Sequence, residues 1–406
     1  MPSELITNIA ELTTMDDEDR QLHDAAVVVE DGLIAWIGAA AEAPDADRRT
    51  DVAGRAALPG WVDSHSHLVF AGDRSAEFEA RMSGAPYQAG GIQTTVTATR
   101  AASDDELRAN LRRHISEAQH QGTTWLETKT GYGLDVDSEL RSARIAEAEL
   151  DDVTFLGAHL VPQGADADEY TRLVAGPMLD AVAPHVNWID VFCERGAFDA
   201  EQSAHVLEAG LRHGLGLRVH GNQLGEGPGV ALAVEYSAAS VDHCNYLSAE
   251  DIRLLAESRS ASDGGASAGT VATLLPACDL STRQPFGPAR ELLDAGVTVA
   301  LAANCNPGSS YTTSMPFVVA TAVLQMRMTI REALWAATRG GAKALRRDRG
   351  TADSPAIGSL QPGARADIQV LDAPSAAHLA YRPGVPLTWD VWRGGHRIVG
   401  PAPVLR

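Results

Sequence analysis

From residue 61 onward the chain alternates short apolar runs with longer stretches of helical period. The runs predict strands over 61–69, 123–129, 153–159, 188–193, 215–220, 239–244, 270–276 and 297–303. Between them, apolar positions recur every three or four residues across 104–121, 137–149, 200–213 and 249–257. That is the period of helices with one buried face. Strands alternating with helices in this way predict an α/β fold, a (β/α)8 TIM barrel, although an open doubly wound sheet would show similar spacing. The two ends differ. Residues 25–30 and 33–38 are apolar and flank Asp31-Gly32, a hairpin signal. Residues 357–371 and 389–399 read as strands joined by turns. The expected organisation is a small composite β-sandwich domain built from 1–57 and 358–406, beside a barrel over 58–357. The small-residue stretch 261–269 falls in a helix-to-strand connection, on the barrel face opposite the usual active site.

Composition narrows the function classes. The 406 residues suffice for one large barrel plus a small domain. A net charge of −21 repels phosphate and argues against a nucleic-acid surface. Only Lys129 and Lys343 are lysines, so nearly all positive charge is arginine. No stretch approaches the roughly 18 apolar residues of a membrane span. The N-terminus lacks a basic segment followed by an apolar run. A cytoplasmic protein is therefore expected. Cys193, Cys244, Cys278 and Cys305 form no Cys-x-x-Cys pair and read as buried thiols of a reducing compartment. The expected partners are a small-molecule substrate and a second copy of the chain, in a homodimer, with no membrane.

Barrel enzymes carry their chemistry at the C-terminal ends of strands, and the histidines can be sorted by that rule. His65 and His67 end the first strand, His159 the third and His220 the fifth, while His243 falls late in the sixth. Residues two apart on a strand share a face, so His65 and His67 can address one ion. Neutral imidazoles with open positions suit zinc or iron, which would acidify a bound water and polarise a carbonyl. His114, His120, His185, His205 and His213 lie in helices or loops and read as solvated or capping side chains. Asn304 ends the eighth strand. After it, Asn306, Gly308 and Ser309 form either an ordinary Asn-Pro-Gly turn or a cradle for a polar substrate. Arg74, following the first strand, offers a planar fork for a carboxylate. Glu127, Lys129 and the turn 130–133 close the second strand, with Tyr132 as a candidate pocket wall.

The run His65-Ser-His-Leu-Val-Phe-Ala-Gly-Asp-Arg74 resembles the imidazolonepropionases of the amidohydrolase superfamily. So do Thr128-Lys-Thr-Gly-Tyr-Gly133, Phe155-Leu-Gly-Ala-His159, Asp190-Val-Phe-Cys-Glu194, Asp242-His243 and Cys305-Asn-Pro-Gly-Ser-Ser310. The likeness extends through Gly363-Ala-Arg-Ala-Asp367; this ending and the His-x-His pair are common to amidohydrolases. The resemblance implies hydrolysis of 4-imidazolone-5-propanoate to N-formimidoyl-L-glutamate, a step of histidine degradation. It implies one divalent or trivalent metal ion per chain, zinc or iron, held by His65, His67 and His220 with position 304 as the fourth ligand. It also implies substrate contacts at Arg74, Tyr132, His159, Gln223, His243, Asn306, Gly308 and Ser309. His243 is the candidate for proton transfer or carbonyl polarisation, and Gln223 for a hydrogen bond to the ring or the water.

The sequence departs from the pattern in places. The strand 8 ligand is usually aspartate and here is Asn304, whose carbonyl binds metal weakly and cannot accept a proton. Gly221 and Asn222 stand where Ala-Asp is more familiar, and the loop 87–91 looks shortened. Two rivals follow. A deaminase or other cyclic amidase of the superfamily shares the barrel, but a deaminase needs a glutamate proton shuttle where Gln223 stands. A metal-poor barrel that binds without turnover is kept open by Asn304.

Overall fold

The computed structural model describes residues 2–84, 91–260, 269–351 and 354–400. Nearly all of the small-residue stretch, 261–268, and most of the shortened loop, 87–90, lie outside the described residues. The strands are, in order, β1 (Glu4–Thr13), β2 (Gln21–Glu30), β3 (Leu33–Ala39), β4 (Arg48–Pro59), β5 (Trp61–Asp63), β6 (Thr123–Lys129), β7 (Asp152–Ala158) and β8 (Trp188–Cys193). They continue with β9 (Gly216–Gly221), β10 (Ser240–His243), β11 (Val271–Leu274), β12 (Val299–Leu301), β13 (Ile368–Leu371), β14 (Thr388–Arg393) and β15 (His396–Val399).

Both chain ends enter one seven-stranded sheet, in the order β15-β14-β13-β4-β1-β2-β3. Its hairpin β2–β3 turns at Asp31 and Gly32, both with positive φ, as the Asp-Gly pair requires. Alternation then sets the faces. Ile6, Ile9, Leu12, Val27, Val29, Ile368, Val370 and Trp392 share one apolar cluster. Leu5, Ala26 and Val28 point the other way, with Trp36 against them.

The second sheet runs β5 to β12 in unbroken sequence order, with parallel pairing from β6 through β12. This is the eight-stranded barrel. The ring is completed beyond the strand ends: Asn304 N donates to His65 O at 2.8 Å, and His67 N donates to Cys305 O at 2.9 Å. The predicted strand 61–69 therefore shortens to Trp61–Asp63. Beyond it, Leu68 N turns to the Thr128 hydroxyl, 2.8 Å away, rather than to a ladder carbonyl. The predicted strand 357–371 shortens likewise to Ile368–Leu371, because Gly358 and Gly363 take left-handed turns before it.

Packing divides the chain into two compact units, Met1–Asp63 with Ser116–Trp125 and Ser314–Arg406, and Ser64–Ile115 with Leu126–Thr313. The first gathers more than the two ends, since helix Met315–Gln325 packs with helix His378–Tyr381. The second contains every candidate site residue.

One connection in the second unit is held under strain. His243 and Cys244 both take positive φ, 84° and 55°, a region that side chains with a Cβ avoid. Asn245 secures the turn by donating from Nδ2 to Asp279 Oδ1 and to Pro285 O, each at 2.7 Å. Asp279 sits in helix Pro276–Thr282. Burial pushes its carboxyl up to about 7, against the hydrogen bonds from Asn245 and Gly287. Between the usual aspartate value of 3.8 and about 7, the native state holds a proton that the unfolded chain has lost. Asp279 thus makes stability fall with rising pH over that window, by up to ~1.4 kcal/mol per pH unit, and not beyond it. Asp279→Asn removes the slope. Its melting temperature relative to the native chain should rise from pH 4 to pH 7 and then level; a constant difference would show that Asp279 is ionised throughout.

Candidate active site

The floor of the site is a set of charges inside the barrel. Every residue of β6 is buried, although the strand includes Glu127 and Lys129. These two lie two apart, hence on one face, and that face is the barrel interior. Lys129 Nζ is 3.1 Å from Glu127 Oε1, 3.0 Å from Asp190 Oδ2 and 3.9 Å from Asp242 Oδ2. Arg218 Nη2 donates to Asp242 Oδ2 at 3.2 Å. All five side chains are fully buried. Burial alone would raise the Asp242 carboxyl, but Arg218, His65 and Lys129 hold it well below the usual range. Asp190 is likewise held low, with His220 and Lys129 overcoming its burial. For Glu127 burial prevails over Lys129 and Arg218, and its carboxyl is raised.

The two ionised carboxylates orient the imidazoles above them. His65 Nδ1 lies 2.7 Å from Asp242 Oδ2, and His220 Nδ1 lies 3.0 Å from Asp190 Oδ1. Each Nδ1 is thereby assigned the proton, which makes Nε2 the lone-pair nitrogen. Burial pushes His65, His67 and His243 well below the ordinary histidine value, so these rings are neutral near pH 7. The nitrogens offered by His65, His220 and His243 lie within 4.8 Å of one another. His67 is adjacent, its ring centroid 5.3 Å from that of His65 and 5.6 Å from that of His220. His220 Nε2, His67 Nδ1 and His243 Nδ1 are buried with no hydrogen-bond partner. The imidazole nitrogens of His65, His220 and His243 converge, and those of His220 and His243 are buried without a partner, a donor set that fits a divalent cation.

Above the imidazoles is a partly open cavity. Ten of the twelve residues singled out in the sequence line it: His67, Arg74, Tyr132, His159, His220, Gln223, His243, Asn304, Asn306 and Ser309. His65 lies fully buried beside them, and Gly308 packs against the Arg74 guanidinium, which is 2.2 Å from where a Cβ would stand. Ile92, Leu160 and Phe192 complete the lining and carry no chemical mark in the sequence. His159 stacks on His67, with centroids 5.4 Å apart. Its Nδ1 is 3.0 Å from Gly131 O, and burial lowers its pKa to about 4.

Three polar side chains shape the loops at the mouth. The Glu139 carboxylate accepts from the backbone N–H of Gly131, Gly133 and Leu134, at 3.0, 2.6 and 2.8 Å, and so sets the turn that presents Tyr132. Glu194 Oε2 accepts from Gln223 N and Leu224 N, both at 2.9 Å. Asn306 Oδ1 accepts from Gly308 N and Ser309 N, while its Nδ2 donates to Asn304 O at 2.7 Å and Asn304 Oδ1 at 3.1 Å. Asn306 therefore builds the turn, with its amide engaged in the loop. Arg74, expected as an open fork, donates from Nε and Nη2 to Glu77 at 2.8 and 2.7 Å.

No family model matches the chain. Curated proteins do. An imidazolonepropionase of Saccharopolyspora erythraea is 70% identical over 400 residues, covering 98% of this chain and 100% of that protein. One of Paenarthrobacter aurescens is 65% identical, with 98% of each covered, and one of Micrococcus luteus is 62% identical, with 98% and 100% covered. Solved structures share the fold at low identity. An atrazine chlorohydrolase of Arthrobacter aurescens, complexed with zinc, superposes with a TM-score of 0.70 at 20% identity over 99% of this chain and 97% of that one. An adenosine deaminase of Xanthomonas campestris with bound zinc gives 0.70 at 19% identity over 98% and 93%. With full-length identities of this size to proteins that share one designation, the chain belongs to the imidazolonepropionase family.

Proposed function

We propose that this cavity hydrolyses the cyclic amide of 4-imidazolone-5-propanoate to N-formimidoyl-L-glutamate, in histidine degradation. The observation that carries the reading is one cavity lined by a guanidinium and by the imidazoles of His67, His159, His220 and His243, with the nitrogens of His220 and His243 within 4.8 Å of those of His65. A cyclic amide bearing an acid needs both. His65, His67 and His220 would hold one metal ion, zinc or iron, with Asn304 as a weak neutral fourth ligand. Such an ion supplies Lewis-acid activation of water and polarisation of the amide carbonyl.

The chain's own residues do the rest. Arg74 binds the propanoate carboxylate and so fixes the distance from the acid to the ring. Tyr132 and Phe192 wall the ring and keep water from its faces. Gln223, its backbone pinned by Glu194, donates or accepts a hydrogen bond at the ring or the attacking water. Water adds to the carbonyl carbon, the ring C–N bond breaks, and a proton must reach the departing nitrogen. His243 moves it: its ring is neutral, its Nδ1 has no partner, and it borders the cavity. Gln223 cannot shuttle a proton, which disfavours a deaminase on the same barrel. A cytoplasmic homodimer belongs to the same proposal; all four cysteines are buried, in keeping with a reducing compartment. Among the described residues no helix is long and apolar enough to cross a membrane.

Turnover of the propanoate substrate by purified, metal-analysed protein tests the reading directly; metal-free protein without turnover would support a binding barrel instead. Arg74→Met should cost roughly 2–5 kcal/mol in kcat/KM, as when one partner of a buried charge pair is lost. An unchanged kcat/KM would remove the clamp. Asp242→Asn leaves the shape of the floor but unties His65 from its carboxylate. Metal affinity, measured by chelator competition, should fall about 10–100-fold. Asn304→Asp adds a charged oxygen to the donor set and should slow metal loss to a chelator and alter the pH–rate profile. Identical retention and superimposable profiles would exclude residue 304 from the ligands.

A further inference from the structure

The Arg74 fork already holds a carboxylate. Its Nε donates to Glu77 Oε2 at 2.8 Å and its Nη2 to Glu77 Oε1 at 2.7 Å, a side-on bidentate pair with the Arg74 side chain only 6% exposed. The pair is walled on two sides. A Cβ on Gly91 would stand 2.3 Å from Glu77 Oε2 and 2.4 Å from Arg74 Nη2, and one on Gly308 would stand 2.2 Å from Arg74 Nη1. Glycine at these two positions lets the guanidinium lie where it does. Arg81 braces the arrangement from the same helix, Ser75–Met82. It is buried, lies 3.8 Å from Glu77 Oε1, and donates from Nη1 to Gly308 O at 3.0 Å. Helix and turn are thus tied together around one guanidinium plane.

We infer that Glu77 is the positioning residue for acid recognition: it occupies the Nε edge of Arg74, so a substrate carboxylate meets only the terminal nitrogens. The consequence is geometric. An acid can be received in one orientation, end-on, at one distance from the imidazoles, and that selects the length of the chain between carboxylate and ring. Without Glu77 the guanidinium turns about its long side chain and offers either edge. The inference rests on Arg74 being the carboxylate clamp.

Three forms of the metal-loaded enzyme, native, Glu77→Gln and Arg74→Met, are compared on the propanoate substrate and on its neutral carboxamide analogue. For Glu77→Gln, KM for the acid should rise about tenfold or more while kcat and the carboxamide KM stay within about twofold. An unchanged or lowered KM for the acid overturns the inference, because Glu77 would then be a bystander or a competitor of the substrate. An equal rise for both substrates overturns it too, since the role would be merely structural. Arg74→Met separates the two levels. If it abolishes the preference for the acid and Glu77→Gln does not alter it, only the role of Glu77 falls. If Arg74→Met leaves the preference intact, the clamp itself falls. Should Glu77→Gln not fold, Glu77→Asp, one methylene too short for the side-on pair, is read by the same comparison.

Discussion

The site depends on a lysine and an arginine buried together with three carboxylates inside the barrel. Removing five charges from water is costly, and it is sustained here because every member has a partner of opposite sign within 3.2 Å. The set does more than neutralise itself. Asp190 and Asp242 remain ionised and take the Nδ1 of His220 and His65, so ring orientation and tautomer follow from charges below the imidazoles. Loss of Lys129 or Arg218 would therefore be felt at His65 and His220 through the carboxylates that orient them. With two cations against three carboxylates, the floor has an excess of negative charge when all are ionised.

Much of this was legible in the sequence. His65, His67, His159, His220 and His243 could be found because a barrel concentrates chemistry at strand ends, a rule that needs only strand boundaries. That eight strands alternate with helices could be read from the pattern, but their closure in sequence order could not, since an open doubly wound sheet shows similar spacing. Strand lengths could not be read either, because beyond Trp61–Asp63 and Val299–Leu301 the chain leaves the ladder and its N–H groups bond to single carbonyls or hydroxyls. The charged floor was illegible for a different reason. Its members come from β6, β8, β9 and β10, and only register sets Asp190 beside Arg218 and Asp242 beside His220. Glu77 and Glu139 were hidden by their setting. A glutamate in the first turns of an amphipathic helix looks like any solvated carboxylate, until the loop it holds is folded against it.

Position 304 brings local conformation and chemistry together. Its backbone is left-handed, with φ of 53°, a conformation that Asn and Asp tolerate better than other side chains. Its carbonyl oxygen accepts from Asn306, and its side chain also bonds the buried Cys278 thiol, itself pushed up to about 12 by burial. The asparagine is thus well placed to shape the Asn-Pro-Gly turn. The turn in turn seats Arg74 through Gly308.

The seam of the barrel passes through the site. The backbone bonds that complete the ring run from Asn304 to His65 and from His67 to Cys305, so the same residues close the barrel and bring the His-x-His pair to position 304. On a ribosome adding roughly 5–20 residues per second, tens of seconds separate emergence of the His-x-His pair from that of the segment that meets it. During that interval the early histidines have neither Asp242 to orient them nor a wall at position 304. A nascent chain can offer stray ions only an unstructured pair of imidazoles, and the complete cradle exists only after the barrel is sealed. If the proposed ion is held there, connectivity alone defers its capture until the barrel has folded.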